Sequence, residues 1–227
     1  MKIQIYTMQT PEEALEVIAS GVDHIGITPG SYGLPGEVDF QTARKIVDTV
    51  GDKAVSVALT VDTDLEIIEE MAKAVHPGIL HLCALEGALP PNEVAKLRAN
   101  LPGLPIMQAI SVAGPKAIDL ALAYQEVAEY IILDTQAADI DGIGASGETH
   151  DWTVSREIVR QLNIPVILAG GLSPENVGES IRVVQPWGVD SLTHTNHPLA
   201  GGGFKKDIGR IQKFVEEAHI AAIKIYE

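Results

Sequence analysis

The chain has a single cysteine, Cys83, among 227 residues. No internal disulfide can form, and a cysteine-only metal site is excluded. Basic side chains are scarce: 16 Lys and Arg stand against 31 Asp and Glu, a net charge of −15. A surface that acidic repels phosphate backbones and anionic headgroups at long range, so neither nucleic acid nor a membrane is an expected partner. An anionic small ligand then needs a locally positive pocket, built from backbone N–H groups or a few basic side chains. Long apolar runs are missing too. The longest are strand-length, far below the ~20 residues that cross a bilayer. No signal-peptide pattern precedes the strand pattern at Ile3, which makes the cytoplasm the expected location. Low-complexity stretches and linkers are absent, so residues 1–227 read as one domain.

What is present is an alternation. Short runs rich in Ile, Leu and Val fall at Ile3–Tyr6, His24–Ile27, Ala54–Leu59, Ile79–Cys83, Ile106–Ile110, Tyr130–Asp134, Pro165–Ala169 and Val189–Leu192. Strands covered on both faces have this composition. Between them the apolar spacing switches to three and four, as in Leu65, Ile68 and Val75, in Val94, Leu97 and Leu101, in Val177, Ile181 and Val184, and in Ile208, Ile211, Phe214 and Val215. Helix starts are signalled at Thr10-Pro11, at Asp62 or Thr63, at Gly114-Pro115 and at Ser173-Pro174. Eight βα units of ~28 residues fill the length, which predicts a single (β/α)8 TIM barrel. An open doubly wound sheet would want a glycine fingerprint after the first strand, and Thr7-Met8-Gln9-Thr10 has none.

The barrel reading places function at the C-terminal ends of the strands. Ile164 to Val177 reads IPVILAGGLSPENV. Its strand breaks at Gly170–Gly171 and a helix is expected to open at once, with Ser173 as N-cap and Pro174 at the first position. Bare N–H groups and a positive dipole end then face one point, a ready anion site at the end of strand seven, where barrels of this kind hold phosphate.

Asp134 ends an apolar run, so its carboxyl is expected at the barrel rim. Partial desolvation there raises a carboxyl pKa and suits it to general acid work. A cap on the following loop is the bland account. That loop is long, with Asp139, Asp141, Gly142, Gly144 and Gly147, and reads as a candidate lid. Asp151 reads as the N-cap of the next helix. His81, His150, His194 and His197 all map near the mouth, but none has a tight metal-ligand spacing, and no metal is expected. Cys83 has apolar neighbours and reads as a small core residue or a thiol.

These residues together resemble a known family, the phosphoribosylanthranilate isomerases. The resemblance runs from Lys2 to about Ala218. Thr10-Pro11-Glu12-Glu13-Ala14 and Ser20 to Gly26 are similar to its first helix and second strand. Leu80-His81-Leu82-Cys83 resembles its Val-Gln-Leu-His strand. Ile132-Leu133-Asp134-Thr135 followed by GASGETHDW (Gly144 to Trp152) resembles its Leu-Leu-Asp and Gly-Gly-Thr-Gly-x-x-Phe-Asp-Trp elements. AGGLSPENV (Ala169 to Val177) matches its phosphate loop nearly letter for letter, and Gln185 to Asp190 and Lys205-Lys206-Asp207 follow in order.

The resemblance implies an Amadori rearrangement of a phosphorylated aminosugar, without metal or organic cofactor. It implies Asp134 as the acid that opens the furanose ring. The family's base, a cysteine ending strand one, does not carry over: Tyr6 stands there. Forming a phenolate at pH 7 costs about 4 kcal/mol, against about 2 for a thiolate. Tyr6 is therefore the positional candidate for the base and Cys83 the chemical one. The family's arginine after strand two is also missing, since Pro29 to Glu37 reads PGSYGLPGE. Its Ser-Ser-Gly after strand eight is replaced by Leu192-Thr193-His194, so Thr193 and His194 join Gly170 and Gly171 as phosphate candidates, with Gly201 to Gly203 as a further source of N–H groups. Three functions remain open: an isomerase of this family, an enzyme on another small phosphosugar, or a non-catalytic phosphometabolite binder. Each takes a small phosphorylated partner and works as a monomer or homodimer.

Overall fold

Eight parallel strands form because their apolar runs are buried on both faces, and they pair in chain order until the last meets the first. β1 (Lys2–Ile5), β2 (His24–Ile27), β3 (Val55–Thr60), β4 (Ile79–Leu82), β5 (Ile106–Ser111), β6 (Tyr130–Asp134), β7 (Val166–Leu168) and β8 (Gly188–Ser191) make a closed barrel. β1 pairs with β8 in the register Gln4↔Asp190 and Ile5↔Ser191, and with β2 in the register Gln4↔His24. The computed structural model describes residues 1–135, 143, 144, 147 and 149–226. The candidate lid around Asp139, Asp141 and Gly142 lies outside the described residues.

The eight intervening helices are α1 (Pro11–Ala19), α2 (Phe40–Val50), α3 (Leu65–Val75), α4 (Pro91–Asn100), α5 (Lys116–Tyr124), α6 (Trp152–Gln161), α7 (Val177–Val184) and α8 (Ile208–Tyr226). Each turns its apolar stripe onto the barrel wall. Ile68 and Val75 of α3, Val94 and Leu97 of α4, and Val177, Ile181 and Val184 of α7 are buried as the spacing predicts. Thr10 and Asp151 cap α1 and α6, accepting from the N–H groups of Glu13 and Thr153. Among the described residues no helix is long and apolar enough to cross a membrane.

Two helix starts differ from expectation. Asp64, rather than Asp62 or Thr63, caps α3; Asp62 instead accepts from the N–H groups of Thr63 and Asp64. After β7 the helix does not open at Ser173-Pro174. Asn176 Oδ1 accepts from Ser173 N–H and its amide donates to the Gly171 carbonyl, tying residues 171–176 into a turn, so α7 begins at Val177. Ser173 still accepts from Glu175 N–H on its Oγ and from Val177 N–H on its carbonyl, so a single separate turn leads into α7. A short hairpin, β9 (Asn196–Pro198) with β10 (Phe204–Lys206), precedes α8 and was not legible as strands.

The period of two along each strand separates two cores. Ile3, Ile5, Leu80, Leu82, Ile131, Leu133, Val166, Leu168 and Val189 face the helices. Tyr6, Ile79, Cys83, Met107, Ile132, Ile167 and Ala169 form a second cluster inside the barrel. The alternation thus sends Tyr6, His81, Cys83, Asp134 and Asp190 inward, onto one cavity.

Candidate active site

The cavity opens at the C-terminal mouth and has an empty volume of about 590 Å³. Its walls are largely apolar: Leu34, Pro35, Leu59, Val61, Ile132, Ile143 and Leu192. Tyr6, Thr28, His81, Cys83, Asp134 and Asp190 are its polar members among the described residues. A smaller polar recess adjoins it, lined by Gly147, Gly170, Gly171, Thr193 and His194, and shares Asp134, Asp190 and Leu192 with the slot.

Asp134 ends β6 at the junction of the two. Burial of its carboxyl raises the pKa to about 7, although Thr135 N–H donates to Oδ1 at 2.7 Å and pulls the other way. Gly144 lies directly on the carboxyl: a Cβ there would stand 2.6 Å from Oδ2. Asp190 on β8 is buried at 6% exposure, and among the described residues its Oδ1 has no hydrogen-bond partner. Burial, and then the neighbouring Asp134, push its pKa well above the carboxylate range. Burial, with charge repulsion added at Asp190, holds these two carboxyls toward the neutral form.

Tyr6, just past β1, fits because β2 carries glycine beside it. A Cβ on Gly26 would stand 2.0 Å from the Tyr6 ring. The Tyr6 hydroxyl lies 2.7 Å from His81 Nδ1, and His81 Nε2 lies 3.2 Å from Cys83 Sγ. Burial lowers the His81 pKa to about 3 and raises those of Tyr6 and Cys83, whose acidic neighbours add to the rise. Behind them the buried Lys206 donates to the Tyr6 carbonyl and to Asn196 Oδ1. Desolvation lowers its pKa to about 7.

The turn after β7 holds Gly170 and Gly171 at φ of +81° and +59°, which side-chain-bearing residues rarely adopt. A Cβ on Gly170 would meet His150 Nδ1 and Thr135 Oγ1, both at 2.8 Å. Among the described residues the N–H groups of Gly170 and Gly171 have no acceptor. Facing them, a single 3-10 turn, Thr193–Thr195, follows β8. His194 Nε2 lies 3.0 Å from the Gly147 carbonyl and fences the rim of the recess. Arg210 supports this turn from below, donating to the His194 carbonyl while gripping Glu175.

This arrangement puts a carboxyl of raised pKa between a polar, glycine-lined recess and an apolar slot. Comparison with known proteins agrees with it. Residues 3–217 match the family described as N-(5'phosphoribosyl)anthranilate (PRA) isomerase. The chain belongs to the phosphoribosylanthranilate isomerase family. It is 33% identical over 219 residues to N-(5'-phosphoribosyl)anthranilate isomerase 2 of Methanosarcina mazei, covering 96% of this chain and 94% of that one. With the isomerase of Methanocella arvoryzae it shares 33% identity over 220 residues, 96% of this chain and 98% of that one. The crystal structure of phosphoribosyl anthranilate isomerase from Thermotoga maritima superposes with a TM-score of 0.80 at 26% identity, over 96% of this chain and 98% of that one.

Against this family pattern, the sequence candidates fall into two sets. Asp134, Tyr6 and Cys83 share the slot, and Gly170, Gly171, Thr193 and His194 share the recess. Gly201 to Gly203 do not join them; they form the tip of the β9–β10 hairpin, where Gly202 N–H donates to the Leu199 carbonyl. His197 is exposed on β9, and His150 is occupied by Thr135 and Ser155. Among the described residues no cluster of three metal-ligating side chains occurs. The sequence put His81 near the mouth only as one of several histidines weighed as metal ligands, and gave Asp190 and Lys206 no individual role. The isolated Gly26 inside an apolar strand was the available sign that a large side chain, here Tyr6, lies against it.

Proposed function

We propose that this protein converts N-(5'-phosphoribosyl)anthranilate to its aminoketose, with Asp134 as the acid. The observation that carries the reading is the place of Asp134, at the junction of the polar recess and the apolar slot. In this pose the phosphate lies on the Gly170 and Gly171 N–H groups beside Thr193 and His194. The aromatic ring lies between Leu34, Pro35 and Val61. Asp134, whose raised pKa of about 7 keeps a large share of it protonated at neutral pH, gives its proton to the furanose ring oxygen. The C1–O bond breaks and the nitrogen lone pair forms an iminium. Loss of the C2 proton then yields the enolamine, which tautomerises to the ketone. The reaction is an internal redox exchange, so the reading calls for no cofactor. A cytoplasmic monomer or homodimer suits it, and the Thermotoga maritima enzyme is described as dimeric.

The test is turnover of phosphoribosylanthranilate by purified protein, read from the loss of its fluorescence. Asp134→Asn should lower kcat about 100-fold or more, as removal of a general acid does. Absence of turnover by the unmodified protein ends the proposal. A second reading, a phosphosugar with an uncharged substituent, draws on one observation. Among the described residues lining the slot and recess there is no Lys or Arg to meet a carboxylate. It predicts tight phosphate binding without that turnover.

A further inference from the structure

The change from aldose to ketose takes a proton from C2, and Asp134, already used at the ring oxygen, leaves that step unassigned. Among the described residues the slot holds an ordered set of groups able to receive it. Tyr6, His81 and Cys83 are 4%, 3% and 3% exposed, line the slot with Asp134, and lie in hydrogen-bond sequence. Their directions follow from one end. Cys83 S–H donates to the Ile143 carbonyl at 3.3 Å. Its sulfur is then free to accept, so His81 Nε2, 3.2 Å away, carries the ring's single proton. Nδ1 is left as an acceptor, and the Tyr6 O–H donates to it at 2.7 Å. The Tyr6 oxygen keeps its lone pairs for the slot. Gly26 lets the ring lie flat on β2, and Lys206 fixes the Tyr6 carbonyl, so the phenol is held in place from two sides.

We propose that Tyr6, His81 and Cys83 form one proton relay, in which the Tyr6 oxygen removes the C2 proton as its own proton passes to His81 Nδ1. This rests on the isomerase reading above. The C2–H bond breaks and its electron pair becomes the C1=C2 bond of the enolamine. The iminium nitrogen is neutralised, and the positive charge moves to the His81 ring. Total charge in the cavity is unchanged, and no oxidant or reductant takes part. No free phenolate forms, and the cavity's positive charge moves from the iminium to His81 rather than being created in the cavity, which offsets the burial that disfavours a charged His81 ring. Cys83 does not touch the reacting atoms. It holds His81 in the tautomer that can accept.

Three variants and one measurement test this. Tyr6→Phe keeps the ring on Gly26 but removes the oxygen; kcat should fall about 100-fold or more with KM held within about twofold. His81→Gln keeps a hydrogen bond to Tyr6 but cannot take up a proton, and should show the same split between kcat and KM. Cys83→Ser, which keeps a donor and an acceptor beside His81 Nε2, should lower kcat less than Tyr6→Phe does. The relay is overturned if Tyr6→Phe keeps more than about a tenth of kcat. It is also overturned if Cys83→Ser abolishes turnover while Tyr6→Phe does not, which would make the thiol the base. Nitrogen-15 NMR of the unmodified protein, with His81 assigned by difference from His81→Gln, should show a neutral ring protonated at Nε2. An Nδ1–H ring overturns the relay whether or not any variant folds. Absence of turnover by the unmodified protein instead refutes the isomerase reading, and the tautomer still decides the relay's geometry.

Discussion

Replacing Asp134 by asparagine should cost the protein its activity and, above neutral pH, make it more stable. In the unfolded chain this carboxyl titrates near 3.8, whereas burial in the folded barrel raises it to about 7. Below the lower value both states are protonated and the residue adds no pH dependence. Between the two the folded state holds a proton that the unfolded state has lost, so stability falls as pH rises through this window. Above about 7 the loss is complete. At ~1.4 kcal/mol per pKa unit the gap amounts to about 4 kcal/mol. Solvent screening at the rim trims this to about 2 kcal/mol. Asparagine has the same shape and keeps the acceptor for Thr135 N–H, but carries no charge to desolvate. Urea denaturation at pH 5 and pH 8 should therefore show Asp134→Asn gaining about 2 kcal/mol on the parent at pH 8, and less at pH 5. Equal stability of the two proteins at pH 8 would refute the argument that the site desolvates this carboxyl.

The same titration governs rate: kcat/KM should fall about tenfold per pH unit above pH 7, where Asp134 has lost its proton, and a flat profile to pH 9 would remove it as the acid. Gly170→Ala forces a Cβ to within 2.8 Å of His150 Nδ1 and Thr135 Oγ1 at a φ of +81°. It should weaken competitive inhibition by inorganic phosphate about tenfold, measured by initial rates. Gly26→Ala drives a Cβ into the Tyr6 ring, and should lower stability by about 1–3 kcal/mol in urea titration. Lys206→Met leaves the Tyr6 carbonyl and Asn196 Oδ1 without their shared donor. It should cost about 1–3 kcal/mol, read from the shift in the urea midpoint.

The fold was legible because its signals are local. Each strand announces itself by composition and each helix by its spacing, and eight repetitions leave little choice but closure. The Gly170–Gly171 turn was legible for the same reason, since a positive φ is a demand on one residue. The helix start after it was misread because Asn176 bonds back to Ser173 and Gly171, a competition that apolar spacing does not record. Asp134 could be picked out as a charge ending an apolar run.

The chemistry of the mouth was not legible, because it is made by residues far apart in the chain. Tyr6 meets His81 across 75 residues and Lys206 across 200. Those meetings depend on the register of β1 with its neighbours and on which parity of each strand faces inward. The inward parity is the same for Tyr6, His81, Cys83, Asp134 and Asp190, but it acquires meaning only when the sheet closes and points them at one volume. Sequence alone determined the barrel, the glycine turn that follows strand seven and the carboxyl that ends strand six, since each rests on neighbours in the chain. Only the tertiary structure decided the protonation states: the burial that raises Asp134, lowers His81 and joins Tyr6 to Cys83 is a property of the closed barrel.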